Sequence, residues 1–281
     1  MREIAEFRVD EQFAPMLFAE SEGKRLGDSV RRVELQTTDP RYNRVGELQK
    51  TLRQSKGKPF FYGWSLTFRY NSREIAAASL LHLKITSMFE PAGEECGTKY
   101  DGSTACARCG AGANQIGTLF LDVKRIPKSK DISRTIAGEI VVSRRVAELF
   151  GRNGITGAEL SHIRSNPSSN VESDDWFQLT VPKANAEIVA PTRVGIDPFD
   201  DDEKAECRCP LGDLVGLNLL SEVSIKSASR GDADIVCSRQ FIGVRRGLLR
   251  PERIILVSPK VRQLIESEKL KGVEIEVAHV V

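Results

Sequence analysis

The chain has 281 residues, 40% of them hydrophobic and 28% charged, with a net charge of +2. This length suits one large domain or two small ones around a packed core, and the near-neutral balance excludes a global electrostatic pull toward nucleic acid or an anionic membrane. No apolar h-region opens the sequence and no run of about 18 apolar residues follows, so neither a secretory leader nor a membrane-spanning helix is expected, and a cytoplasmic location is.

In chain order, residues 1–92 read as an N-terminal α+β region. The segments IAEFRV and FYGWSLTFRY (61–70) carry the β-branched and aromatic residues of strands. Residues 45–52 read as a short helix and 72–83 as a second, more apolar one. Residues 93–163 follow as a cysteine-bearing segment joined to a strand–helix–strand unit, 164–206 as a linker, and 207–281 as a second copy of that arrangement. The fold class expected is therefore α/β or α+β, with a duplicated zinc-ribbon-like segment.

The repeat is visible without a gap. IVVSRRVAELFGRNGITGAEL (140–160) aligns with ILVSPKVRQLIESEKLKGVEI (255–275) at an offset of 115. Each copy has a short apolar strand and then a serine placed to accept from the free N–H groups of the next helix. Val146, Leu149 and Phe150 share one helix face, as do Val261, Leu264 and Ile265. Pro259 stands where its missing N–H costs nothing. Gly157 and Gly272 precede the closing strands, 158–163 and 273–280. Upstream, Cys109, Gly112, Leu119 and Val123 meet Cys209, Gly212, Leu219 and Val223 at an offset of 100, which places about 15 extra residues of the second copy around 234–252. The linker is rich in Ser, Asn, Pro and Asp and ends in DPFDDDEKAE, which reads as a partly flexible acidic connection with one strand over 176–181.

The sharpest chemical signal is CARCGAG. Two thiols two residues apart, Cys106 and Cys109, face one ion, and the glycine after them permits the tight backbone of a zinc knuckle. Cys96 adds a third thiol ten residues upstream, with Gly93 where a partner would stand. A closed tetrahedral site needs a fourth donor. Cys209, aligned with Cys109, completes the predicted set Cys96, Cys106, Cys109 and Cys209; Cys207, Cys237 and His82 are the alternatives. Against this, Cys207, Cys209 and Cys237 also read as unpaired core thiols. Redox cycling at C-x-x-C requires a thiol activated at a helix start, and a Gly-rich stretch follows Cys109 instead.

His82 falls on the apolar helix, and His162 and His279 fall in the closing strands, where structural roles are the commoner reading. No G-x-S-x-G elbow, H-E-x-x-H pair or Walker A loop is present, so no catalytic residue is assigned. In VRRGLLRPER, Arg245, Arg246, Arg250 and Arg253 read either as phosphate contacts or as a solvated loop.

The pattern ECGTKYDGS, then ACARCGAG, then VVSRRVAELF and LVSPKVRQLI, resembles bacterial double-CXXCG-motif proteins, which are similar to immunity proteins of polymorphic toxin systems. The resemblance covers roughly residues 70–163 and, by repetition, 205–280. By position Cys106 and Cys109 match one complete knuckle and Cys96 the last cysteine of the other, whose first cysteine is missing here. The resemblance implies a zinc-containing protein that masks a toxin by direct binding, with a zinc-ribbon nucleic-acid binder and a thiol- or metal-dependent enzyme as alternatives. The acidic residues 200–203 suit a basic partner.

Overall fold

The computed structural model describes residues 1–168, 171–200 and 207–281. It is a mixed α+β fold with more sheet than helix. The chain divides into two compact units, Met1–Ile75 with Gly195–Lys204, and Ala76–Val194 with Ala205–Val281.

The first unit holds β1 (Arg2–Asp10), β2 (Lys24–Arg25), β3 (Val30–Gln36), α1 (Pro40–Lys56) and β4 (Phe61–Arg69). The strands form an antiparallel sheet in the order β2-β3-β1-β4. Ala5, Phe7 and Val9 alternate onto one buried face of β1, as the two-residue period of a strand demands. Helix α1 starts where Asp39 accepts from the Arg41 N–H, and it lays Val45, Leu48 and Leu52 on that face. Buried Arg31 is satisfied by both Glu11 oxygens and the Ala19 carbonyl, so its charge is not stranded away from water.

Phe199 completes this core. Its ring lies 5.9 Å from that of Phe7 and 4.8 Å from that of Tyr42. It sits over Gly46 of α1, where a Cβ would come within 2.6 Å of the ring. The segment expected as a loose acidic linker is thus largely structured. Within it, 172–180 forms a strand and 195–200 docks; Asp200 accepts from the Ile196 and Asp197 N–H groups in a turn. The rest of the acidic run, 201–206, lies outside the described residues.

The first unit ends at Ile75 rather than at 92. Helix α2 (Ser72–Ala77) is short, and residues 80–83, the end of the expected helix 72–83, belong instead to strand β5 (Leu80–Ile85). β5 supplies hydrogen-bond partners to two strands from the far end of the chain, a tertiary demand that overrides local helix preference.

The second unit continues with β6 (Met88–Phe89), β7 (Lys99–Asp101), β8 (Asn114–Ile116), β9 (Ile132–Thr135), β10 (Ile140–Ser143), α3 (Arg144–Arg152), β11 (Glu159–Arg164) and β12 (Glu172–Thr180). The two-residue β13 (Val194–Gly195) stands where the chain passes between units. Then come β14 (Leu214–Gly216), β15 (Asn218–Leu219), β16 (Val223–Ile225), β17 (Ile235–Ile242), β18 (Glu252–Val257), α4 (Pro259–Ser267) and β19 (Val273–Val280). One sheet runs β11-β12-β10-β9-β6, the other β14-β17-β18-β5-β19-β16.

The two strand–helix–strand units, β10-α3-β11 and β18-α4-β19, are built alike. Ser143 accepts from the Val146 N–H and Ser258 from the Val261 N–H, with nearly the same backbone angles. Strands β10 and β11 are parallel but not neighbours, because antiparallel β12 lies between them; β5 does the same between β18 and β19. A direct crossover between adjacent parallel strands therefore does not occur in either unit.

The two halves hold each other reciprocally. Asp131 accepts from the Lys271 N–H, and Asp234 from the Thr156 N–H. The Ser143 N–H donates to the Asp131 carbonyl, and the Ser258 N–H to the Asp234 carbonyl, both at 2.8 Å. Arg145 pairs with Asp131, and Lys260 with Asp234. The Lys271 and Thr156 bonds join the entry of one half to the helix-to-strand loop of the other, and the remaining contacts hold each aspartate within its own half. The backbones meet at two glycines. A Cβ on Gly157 (φ +92°) would lie 2.0 Å from the Ile235 carbonyl oxygen, and one on Gly272 (φ +101°) 2.0 Å from that of Ile132. Asp131 and Asp234 are 103 residues apart and Ser143 and Ser258 are 115 apart. The second half therefore carries twelve extra residues, within the longer β17 and the loop after it.

Gly272→Ala meets both a left-handed backbone and a carbonyl that cannot move aside, so it is expected to cost at least about 2–3 kcal/mol in urea unfolding. Gly231→Ala, equally left-handed but in open space, should cost about 1 kcal/mol; equal losses would deny the close approach its role. Phe199→Ala is expected to destabilise the first unit by about 2–3 kcal/mol. An unchanged melting curve for that variant would show that the segment is not part of the core.

Candidate metal centre

Two loops from opposite halves of the second unit form the centre. The first joins antiparallel β7 and β8 and carries Cys106 and Cys109. Within it the Cys106 N–H donates to the Ala111 carbonyl at 2.7 Å, and the Gly110 N–H to the Cys106 carbonyl at 2.8 Å. The second loop precedes β14. There the Cys209 N–H donates to the Leu214 carbonyl at 2.7 Å, and the Gly212 N–H to the Cys209 carbonyl at 2.9 Å. Both loops close over the same five-residue span, so Cys209 takes the place of Cys106 in its loop. The sequence alignment had paired Cys209 with Cys109. The offset between the loops is 103, the same as between Asp131 and Asp234.

The sulfurs of Cys106, Cys109 and Cys209 and a carboxylate oxygen of Asp213 all lie within 4.8 Å of one another. Cys106 Sγ and Cys209 Sγ are 3.7 Å apart. Ligands about 2.3 Å from a tetrahedral ion sit about 3.8 Å from each other, so the hydrogen-bonded thiols already stand at a spacing that two thiolates on one ion would have. The cluster is able to hold a metal ion with four protein donors. The backbone is already turned toward the sulfurs, with the Ala111 N–H on Cys109 and the Leu211 and Asp213 N–H groups on Cys209. Burial, together with the neighbouring thiols, pushes the Cys109 thiol up to about 11. Burial also works against ionising Cys209, yet its pKa is lowered on balance, because the Leu211 N–H and the thiols of Cys106 and Cys109 donate to it.

The fourth member of the cluster is Asp213, and Cys96 lies outside it. Cys96 ends a short 3-10 turn, and its sulfur accepts from the Asp122 N–H. The surrounding segment is tied elsewhere: Thr98 exchanges hydrogen bonds with Phe120, and the Gly93 N–H donates to Glu139. Cys207 is exposed and outside the cluster. Cys237 is buried in β17, where its thiol contacts the Val181 and Lys183 carbonyls. His82 lies on β5 with its Nδ1 3.4 Å from Glu276, a carboxylate that Lys84 also holds. His162 contacts the Ser173 carbonyl, and His279 lies 2.7 Å from Glu222.

The predicted phosphate contacts separate into two kinds. Arg250 pairs with Glu94 at 2.7 Å and stacks 3.7 Å over the Tyr100 ring, so it is a packing residue. Arg253 lies 4.0 Å over Phe241 and donates to the Ser238 and Arg239 carbonyls. Arg245 and Arg246 are exposed. Arg245 lies against the knuckle, where a Cβ on Gly110 would come within 2.7 Å of its Cδ.

Asp213 was the donor that motif reading passed over. Its signal in the sequence is CPLGD, a cysteine followed by a glycine turn and then an acid one residue beyond the place of a second knuckle cysteine. No family model matches the chain, and no curated protein matches it either. Among the described residues no helix is long and apolar enough to cross a membrane.

Elemental analysis of the purified protein is expected to find one metal ion per chain. Serine at Cys106, Cys109 or Cys209, or asparagine at Asp213, should lower that content and the melting temperature, while Cys96→Ser and Cys237→Ser retain the ion. Full metal content in the Cys209 variant, or its loss with Cys96→Ser, would place the ion elsewhere.

Proposed function

We propose that this protein is a non-enzymatic protein-binding module shaped by one structural zinc ion, of the immunity kind that neutralises a toxin by masking it. The observation that carries the reading is the donor set. Three thiols and a carboxylate converge from two loops about a hundred residues apart, which is the number of donors a closed tetrahedral ion takes. A closed site of this kind leaves no position for a substrate. It fixes two glycine-containing loops that bury little apolar surface of their own, so metal binding becomes folding energy. Soft sulfur donors in a tetrahedral arrangement favour zinc over the hard oxygen-seeking cations. The toxin-masking role is what the resemblance to double-CXXCG proteins adds.

The test is to isolate the tagged full-length chain from its native cells in high salt and to identify stoichiometric partners by mass spectrometry. A single protein partner whose toxicity on expression is suppressed by co-expressing this chain is the expected result. A partner that is harmless alone, or suppression that persists when the chain is unfolded by chelation, would overturn the masking mechanism.

A further inference from the structure

Four arginines stand on the loops that carry the clustered cysteines or against them. Arg108 lies between Cys106 and Cys109, Arg208 abuts Cys209, Arg245 lies against Gly110, and Arg246 follows it. All four are exposed. Among the described residues, none of the four side chains has a carboxylate or hydrogen-bond partner. Elsewhere exposed arginines commonly do: Arg44 pairs with Glu47, Arg152 with Glu148 and Arg145 with Glu268. In a chain whose net charge is only +2, this is a local concentration of free guanidinium groups.

The metal itself does not account for it. A divalent ion with three thiolates and one carboxylate carries a net charge of about −2, which four cations exceed. The surplus faces solvent. We propose that this arginine rim is a docking surface for the sugar–phosphate backbone of duplex DNA. Planar guanidinium groups match phosphate oxygens two at a time. A single strand is the poorer fit, since it would need exposed rings for its bases to stack on, and Phe241, the aromatic beside the rim, is already covered by Arg253. The zinc staple would hold the two loops at the fixed separation that a rigid duplex requires. Asp201, Asp202, Glu203 and Glu206 precede the rim in sequence and lie outside the described residues, so the test uses the full chain and includes whatever they screen. The inference stands apart from the toxin-masking reading, because it rests on the rim alone.

The experiment is fluorescence anisotropy of a labelled 20-base-pair duplex of arbitrary sequence, titrated with metal-loaded full-length protein from 50 to 200 mM salt. Binding is expected to weaken with salt, with a log–log slope approaching about −3.6 for four phosphate contacts. Arg245→Gln with Arg246→Gln should lower affinity about tenfold or more and reduce the slope by about 2, with metal content and melting temperature unchanged. Adding Arg108→Gln and Arg208→Gln should abolish binding; if these two variants lose the metal, the Arg245 and Arg246 pair carries the test. The proposal fails if no binding is seen at 50 mM salt, if the Arg245 and Arg246 pair leaves affinity unchanged, or if single-stranded RNA of equal length binds more tightly. It fails as well if polyglutamate competes as effectively as DNA at equal charge, which would mark the rim as a site for an acidic protein.

Discussion

Two backbone contacts with no room for a side chain organise the larger unit. Gly157 meets the Ile235 carbonyl and Gly272 meets the Ile132 carbonyl. Around each, an aspartate from one half accepts from a loop of the other. Neither half completes these bonds alone, because each supplies the acceptor for its counterpart's loop. The strands after Asp131 and Asp234 are fixed by this exchange, and the cysteine loops precede those strands. The metal donors therefore meet because the halves are clamped, and an ion in the site would close a second link between segments already brought together.

That order of dependence explains the chemistry of the centre. Within each loop short backbone hydrogen bonds close the turn around the cysteines, and an ion would add the link that fixes the two loops to each other. What remains is to ionise the thiols, and here the surroundings are unequal. Burial raises the Cys109 pKa, while Cys209 collects donors from its own loop and from the other two sulfurs. Metal uptake is accordingly linked to proton release, as in any thiolate site.

Much of this was legible in the sequence. The strand–Ser–helix–Gly–strand units announced themselves because capping serines, a proline at a helix start and left-handed glycines each have a local physical reason to stand where they do. Cys106 and Cys109 were readable from their spacing, and Cys209 from the repeat. Asp213 was not, because an aspartate four residues after a cysteine fits a turn as readily as a metal. The three-residue error in aligning Cys209 had a similar origin: cysteine identity favoured one register, and the closing hydrogen bonds favour another. β5 was hidden for a different reason. Residues 72–83 carry a helix-like apolar pattern, and only the need of β18 and β19 for a shared neighbour, almost two hundred residues away, draws 80–85 into a sheet.

The seating of Phe199 over Gly46 has a consequence for how the protein comes into being. Strands β1 to β4 are synthesised before Phe199, and the ring that finishes their core is encoded more than a hundred residues after β4. β5 likewise waits for β18 and β19, at the very end of the chain. During synthesis both structures stay incomplete, with apolar surface uncovered, until late segments emerge. Such a topology is dominated by distant partners and is of the kind that folds slowly and stays open to misassociation on the way. The arrangement ties the maturation of the first unit's core to synthesis of the Phe199 segment, and that of the central sheet to synthesis of β18 and β19.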